Sequence, residues 1–330
     1  GSGIVAIAMA FYGFGVWALV AQRIVKQGLN SLFLWLWNRW KPLLVFSKKS
    51  FKELFGFGSK LLISGLIDTI YRNIYYLVIG KYFSAQELGY YTRAEGFKNL
   101  PSQNLNSIVS RVTYPVLSSI QDDIPRLRNN YQKLIRSVMF ITFILMLGMA
   151  AVAEPMIHTL IGAKWEPAII YLQMLCFVGM MYPLHALNLN MLQVQGRSDL
   201  FLKLEVIKKI IAIPTIVIGV FFGIKMMIAG MMVNTLIAYY LNSYWSGKKI
   251  GYSFTQQVKD ILPSFFLALT MGVAVYFLGK VLPFSYPVKL IIQIIFGGLF
   301  VLVISEVTKF RDYIFAKQLI LEKIYSIKKR

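Results

Sequence analysis

Residues 134–153 read LIRSVMFITFILMLGMAAVA, twenty residues with one charge, Arg136, near the first end. A helix needs ~20 mostly apolar residues to cross a hydrocarbon layer ~30 Å thick, and this run meets that length. Runs of the same kind recur on both sides. Before it come a short one at Ile4–Phe11, then Val16–Trp37, Leu61–Gly80 and a more polar stretch from Tyr91 to Ile120. After it come Ala168–Val194, Leu200–Phe222, Met226–Tyr244, Ile261–Leu278 and Leu290–Ile304. No run alternates with period two, so helices fit better than a barrel. Of the 330 residues 57% are hydrophobic and only 15% charged. The reading is an all-α polytopic membrane protein.

The formal charge of +21 would suggest a nucleic-acid ligand in a soluble protein, but here the placement of the charges matters more than their sum. Alternate loops are basic. One set, which includes Arg39–Lys60, Arg126–Arg136, Arg197–Lys209, Lys248–Lys259 and the tail from Lys309, holds 24 Lys and Arg; the other holds 6. Cytoplasmic loops carry such an excess, which predicts a cytoplasmic C-terminus and no nucleic-acid partner. The single cysteine, Cys176, excludes an internal disulfide framework. The chain opens on Gly1 in what reads as a helix already under way, so an incomplete N-terminal portion is expected. Ser50–Glu53 has capping-box spacing before Leu54, Phe55 and Phe57, which predicts an interfacial helix. Asp312–Arg330 reads as a basic amphipathic helix suited to anionic lipid.

Some spans carry residues that hydrocarbon does not tolerate. Residues 64–80, SGLIDTIYRNIYYLVIG, place Asp68 and Arg72 one helical turn apart. A charged side chain at mid-bilayer costs ~2.5–3.5 kcal/mol on insertion scales, so such residues face a bundle interior or a watery cavity. An ion pair that locks the helix to its neighbours and a cavity lining both remain open here, with Tyr71 and Asn73 broadening the polar surface. The next span holds Arg93, Glu95, Lys98, Asn99, Ser102, Gln103, Asn104, Asn106 and Arg111, with Pro101 and Pro115 inviting kinks. At a period of 3.6, Glu95, Lys98, Ser102, Asn106 and Arg111 trace one wide stripe. Arg23 and Lys26 add cations to an earlier span, whereas His185 reads as a satisfied packing residue. A net cationic cavity implies an anionic substrate, a phosphate or carboxylate held by Arg forks and Lys point charges. No Walker loop, metal-ligand spacing or nucleophile–base pair is present in the sequence, so a transporter without a cofactor fits better than an enzyme.

Several segments together resemble the Wzx/WzxC-like polysaccharide flippases of the MATE-like exporter superfamily. They are GFGVWALVAQ (13–22), FKELFGFGSKLLISGLID (51–68), YRNIYYLVIGKYF (71–83), LGYYTRA (88–94), SRVTYPVLSSIQ (110–121) and AEPMIHTLIGAKWEPA (153–168). Their order and spacing carry the likeness, which is strong over Gly13–Leu204 and weaker beyond. The resemblance implies a MATE-like helical bundle. On that template 1–37 ends an N-terminal lobe, 38–60 is a cytoplasmic linker and 61–247 is a complete C-terminal six-helix lobe. Residues 248–308 then give two additional transmembrane helices, and 309–330 a cytoplasmic tail. It further implies an undecaprenyl-diphosphate-linked oligosaccharide as substrate, moved across the bacterial cytoplasmic membrane, with polysaccharide assembly proteins as partners. Under it Arg72, Lys98 and Arg111, with Arg23 or Lys26 opposite, face the diphosphate, and Asn99, Gln103, Asn104 and Asn106 face sugar hydroxyls. Asp68 either pairs with Arg72 or accepts a coupling ion. The competing readings are a MATE-like multidrug exporter, which would want unpaired carboxylates, and a membrane glycosyltransferase or polymerase, which would want an acidic motif or a large outer loop.

Overall fold

A computed structural model of the chain describes residues 2–38, 46–49, 51, 55, 66, 69–70, 73–314 and 317. They fall into two units, Gly1–Ile63 and Ser64–Arg330. In the first, α1 (Ser2–Phe11) packs on α2 (Val16–Asn38). Both leave large apolar side chains exposed, among them Phe11, Trp17, Trp35 and Trp37. Lipid-facing helices present such a surface; water-facing ones rarely do. Of the expected interfacial helix only Phe51 and Phe55 are described, their rings stacked 5.4 Å apart; Ser50, Lys52–Leu54 and Phe57 lie outside the described residues.

The second unit is a helical bundle. It comprises α3 (residues 73–82), α4 (Ala85–Ser118), α5 (Ile124–Ala151), α6 (Ala153–Leu160), α7 (Ala168–Met180) and α8 (Tyr182–Val194). It continues with α9 (Ser198–Phe222), α10 (Ile224–Lys248), α11 (Phe254–Val281) and α12 (Tyr286–Val307), and among the described residues there is no strand. The starts are written locally. Ser84 caps α4 by accepting from Glu87 N at 3.1 Å, and Asp123 caps α5 by accepting from Arg126 N at 3.0 Å. Ser253 and Gln256 satisfy each other's backbone at the head of α11 in a capping box. The α9–α10 turn is one residue, Gly223 at φ +93°, a left-handed conformation that a side chain would strain.

The quoted run forms most of α5, which sits at the centre. Tyr131, Ile135, Met139, Phe143 and Met146, spaced three or four apart, are all at most 1% exposed. Around it pack α4, α7, α8 and α11, while α12 lies on α11 and α6, and α9 lies on α10. Five helical stretches are long and apolar enough to cross a membrane among the described residues, Ala168–Val194 counting as one. That stretch, read from sequence as a single span, breaks at Met181, because Pro183 sits at the second position of α8 and lacks the N–H that would continue the helix. By contrast α4 runs through Pro101 and Pro115 as one helix of 34 residues.

Contacts between helix ends sort the turns into two sets. At one end Arg128 Nη2 donates to Gln256 Oε1 (3.4 Å), Gln195 Nε2 donates to the Ser246 carbonyl (2.9 Å), and Arg136 pairs with Asp312 (3.0 Å). At the other Tyr171 donates to Glu87 (2.6 Å), Lys280 pairs with Glu154 (2.7 Å), and His158 stacks on Tyr286 with centroids 4.2 Å apart. Asp312 departs from the sequence reading. It is 5% exposed, held by Arg136 of α5 and by the Ser264 hydroxyl of α11 at 3.0 Å, while Phe310 stacks on Phe140 at 5.7 Å. This beginning of the expected amphipathic tail docks on the bundle; Phe315, Ala316 and residues 318–330 lie outside the described residues.

Candidate functional site on the polar helix

The α4 helix is the least apolar long helix of the bundle, and its charged and amide residues survive there because the fold gives them two different surroundings. Tyr91, Ala94, Lys98 and Ser102, spaced three and four apart, form its buried face at 1%, 0%, 9% and 2% exposure. This face packs on α7 and α8. Arg93, Gly96, Leu100, Gln103, Asn104 and Ser107 are exposed, and Asn99 is half-buried.

Lys98 is the charge that the fold buries here. Its stem crosses the backbone of α7 at Gly179, where an added Cβ would come within 2.7 Å of Lys98 Cδ and force the lysine to shift. Its ammonium lies 3.7 Å from Glu95 Oε1, one turn earlier on α4. That is an ion pair, but longer than a direct hydrogen bond. Glu95 in turn adjoins the Tyr76 hydroxyl of α3, and the Tyr76 ring meets Tyr91 edge-on at 5.9 Å. Cys176, fully buried one turn before Gly179, lines the same spot.

The other residues proposed from sequence separate. Gln103 and Asn104 lie on the exposed side, where Asn104 Nδ2 donates to the Leu100 carbonyl at 2.7 Å. Asn106 and Arg111 belong to α4, but their side chains are outside the described residues, as are Asp68 and Arg72 entirely. Asn73, on α3, is exposed and donates to the Thr69 carbonyl at 2.7 Å. Arg23 and Lys26 are exposed on α2, in the first unit.

Two polar features had little or no signal in sequence. A seam joins α8 to α10: His185 Nε2 meets Thr235 Oγ1 at 2.8 Å, Asn242 Nδ2 meets His185 Nδ1 at 3.3 Å, and Ser246 donates to Asn188 at 2.5 Å. With both ring nitrogens engaged, His185 is a packing histidine, as expected. Thr235, Asn242 and Ser246 of α10 are spaced seven and four apart, so they share one helix face, a spacing that a reading for apolar runs passes over. At the far end of α4, Arg93 lies over the Trp165 ring at 5.4 Å and Tyr90 meets the same ring edge-on at 5.9 Å. The described residues contain no group of His, Cys, Asp and Glu able to hold a metal ion.

Comparison with known proteins agrees with this architecture. The structure superposes on the lipid II flippase MurJ in an inward closed conformation with a TM-score of 0.69 at 19% identity, covering 95% of this chain and 66% of that one. The two chains accordingly share a fold, an all-helical bundle in which α11 and α12 follow the other described helices of the second unit. In sequence the chain is 30% identical to the lipopolysaccharide biosynthesis protein WzxC of Escherichia coli K12, over 78% of this chain and 54% of WzxC. It is 29% identical to the teichuronic acid biosynthesis protein TuaB of Bacillus subtilis 168, over 60% of this chain and 41% of TuaB. It is 30% identical to the succinoglycan biosynthesis transport protein ExoT of Rhizobium meliloti 1021, over 50% and 33% of the two chains. The chain thus spans between a third and about half of these relatives. Residues 1–170 match the family described as polysaccharide biosynthesis protein, and the chain belongs to that family.

Proposed function

We propose that the protein to which this chain belongs flips an undecaprenyl-diphosphate-linked oligosaccharide from the cytoplasmic to the periplasmic leaflet of the bacterial inner membrane. The observation that carries the reading is the family match over residues 1–170 on a fold shared with a lipid II flippase. Physics supplies the need: sugars and a diphosphate cannot cross hydrocarbon alone, whereas an isoprenoid tail can stay in lipid. The lobe, residues 61–247, rocks against an N-terminal lobe of which 1–37 is the end, exposing a central site alternately to each side, as in other repeat-built transporters. Residues 38–60 are the cytoplasmic linker between the lobes, 248–308 the added helix pair, and 309–330 a cytoplasmic tail that meets anionic lipid.

In this reading Lys98, with Arg72 and Arg111, provides the positive field for the diphosphate, and Arg23 and Lys26 are further cations assigned to the substrate. Asn99, Gln103, Asn104 and Asn106 meet sugar hydroxyls. The buried position of Lys98 supports its role, since a desolvated ammonium attracts an anion more strongly than a surface one. The test uses the full-length gene in cells lacking their own copy, with lipid-linked oligosaccharide quantified in each leaflet. Arg72→Ala and Lys98→Ala are expected to accumulate it in the cytoplasmic leaflet, while Lys317→Ala behaves as wild type. Normal flipping by Arg72→Ala and Lys98→Ala at wild-type abundance overturns the cationic site.

A further inference from the structure

We propose that Glu95 is a built-in counter-anion of Lys98 which the substrate must displace, and that this competition makes the site selective for a multiply charged phosphate over a single carboxylate. The inference rests on the reading of Lys98 as an anion-binding residue and adds a specificity determinant that Glu95 alone supplies.

Three features of the geometry support it. First, the two partners are anchored differently. The Lys98 stem lies against the backbone of α7 at Gly179, where an added Cβ would come within 2.8 Å of its Cγ and Cδ, so the root of the side chain is held by packing. Glu95 is half-buried and adjoins the Tyr76 hydroxyl of α3, a second partner for its carboxylate besides Lys98. Second, the pair is incomplete. At 3.7 Å the carboxylate neutralises Lys98 without taking a direct hydrogen bond, so the three ammonium donors stay available to oxygens that approach more closely. Third, the pair can be reached: the Lys98 and Glu95 side chains keep 11% and 18% of their accessible surface.

The chemistry of selection follows. A monocarboxylate arriving at Lys98 offers what Glu95 already offers and gains nothing by the exchange. A diphosphate brings more charge and several oxygens with fixed spacing, so it outcompetes the resident carboxylate. Removing the charge at position 95 should therefore strengthen anion binding in general and erode discrimination in particular. This is opposite to the outcome for a residue that merely lines the path or braces the helix.

The experiment measures binding of inorganic pyrophosphate, with acetate as competitor, to the purified full-length protein and to Glu95→Gln, Glu95→Asp and Lys98→Met. Glu95→Gln is expected to bind pyrophosphate roughly tenfold more tightly and to let acetate compete, where wild type does not. Glu95→Asp keeps the charge but withdraws it by one methylene and should fall between the two, which guards against a folding defect specific to the glutamine variant. If Glu95→Gln and Glu95→Asp bind as wild type while Lys98→Met loses binding, the counter-anion idea fails and the anion site stands. If Lys98→Met also binds as wild type, the anion site itself falls, and the role of Glu95 with it.

Discussion

Arg136 and Asp312 show what one buried pair can do at the scale of a residue. Their side chains are 10% and 7% exposed, separated by 176 positions in sequence, and the Asp312 carboxylate is further held by Ser264. A buried pair of this kind adds modest net stability, but removing one partner strands the other charge away from water. Arg136→Ala or Asp312→Ala is therefore expected to destabilise by about 3–5 kcal/mol, read as a lowered melting temperature of the purified protein in detergent. The apolar double replacement Arg136→Met with Asp312→Leu should recover most of the loss. If it is as unstable as either single variant, the pair acts through something other than its charges. Sequence could not show this pair. Both residues sit beside strings of Lys and Arg that look solvated, and nothing local marks Asp312 as the partner of a residue on another helix. The Lys98 stripe was legible for the opposite reason, since Glu95, Lys98 and Ser102 repeat at helical spacing on one element. What the pattern could not divide was the wide polar arc, in which Gln103 and Asn104 turn to the exposed side.

The helices themselves were largely legible, because the length of an apolar run is a direct record of the layer it must cross. Most ends were not, since the residues that stop a helix act through contacts as well as propensity. The α10–α11 turn is an example. A Cβ at Gly247 would come within 1.9 Å of the Tyr252 carbonyl oxygen, and the Tyr252 N–H already donates to the Gly247 carbonyl at 3.1 Å. The obstacle is backbone, so no side chain can swing aside. Gly247→Ala is expected to destabilise by at least the upper part of the range of about 1–3 kcal/mol typical of overpacking. Gly298 is the matched control: it lies within α12 with nothing within 4 Å of an added Cβ, and Ala there removes the glycine penalty of up to about 1 kcal/mol. The comparison is read from yield of folded protein and from melting temperature. Equal behaviour of the two alanines would mean that the turn opens without loss, and that α10 and α11 are not joined as tightly as their contact implies. The short helix α6 went unread for the same reason. Ala153–Leu160 follows α5 after Val152, where Pro155 lacks the N–H that would continue the ladder, and α12 and α7 pack against it.

On the scale of the whole molecule the two sets of turns have opposite character, and that asymmetry decides how the bundle sits in a bilayer. The end that gathers Arg128, Gln195, Arg136 and the start of the tail is the one rich in Lys and Arg, while the end at Glu87, Trp165 and Glu154 holds few. Moving a cationic loop through hydrocarbon is costly, so the basic end should stay on the side of synthesis. One helix can report on both ends. At about 1.5 Å per residue α10 is long enough to cross a hydrocarbon core of roughly 30 Å, and it places Lys225 and Lys249, both exposed, at opposite ends. Cys176, fully buried, gives little background to a thiol reagent. With Lys225→Cys and Lys249→Cys made separately, an impermeant maleimide added to intact spheroplasts should label position 225 at once and position 249 only after the membrane is opened. Labelling of 249 alone would invert the molecule and place the basic end outside. Substrate made in the cytoplasm would then meet the Arg93 and Trp165 end of α4 first, and the route through the bundle would run from that end toward the basic one.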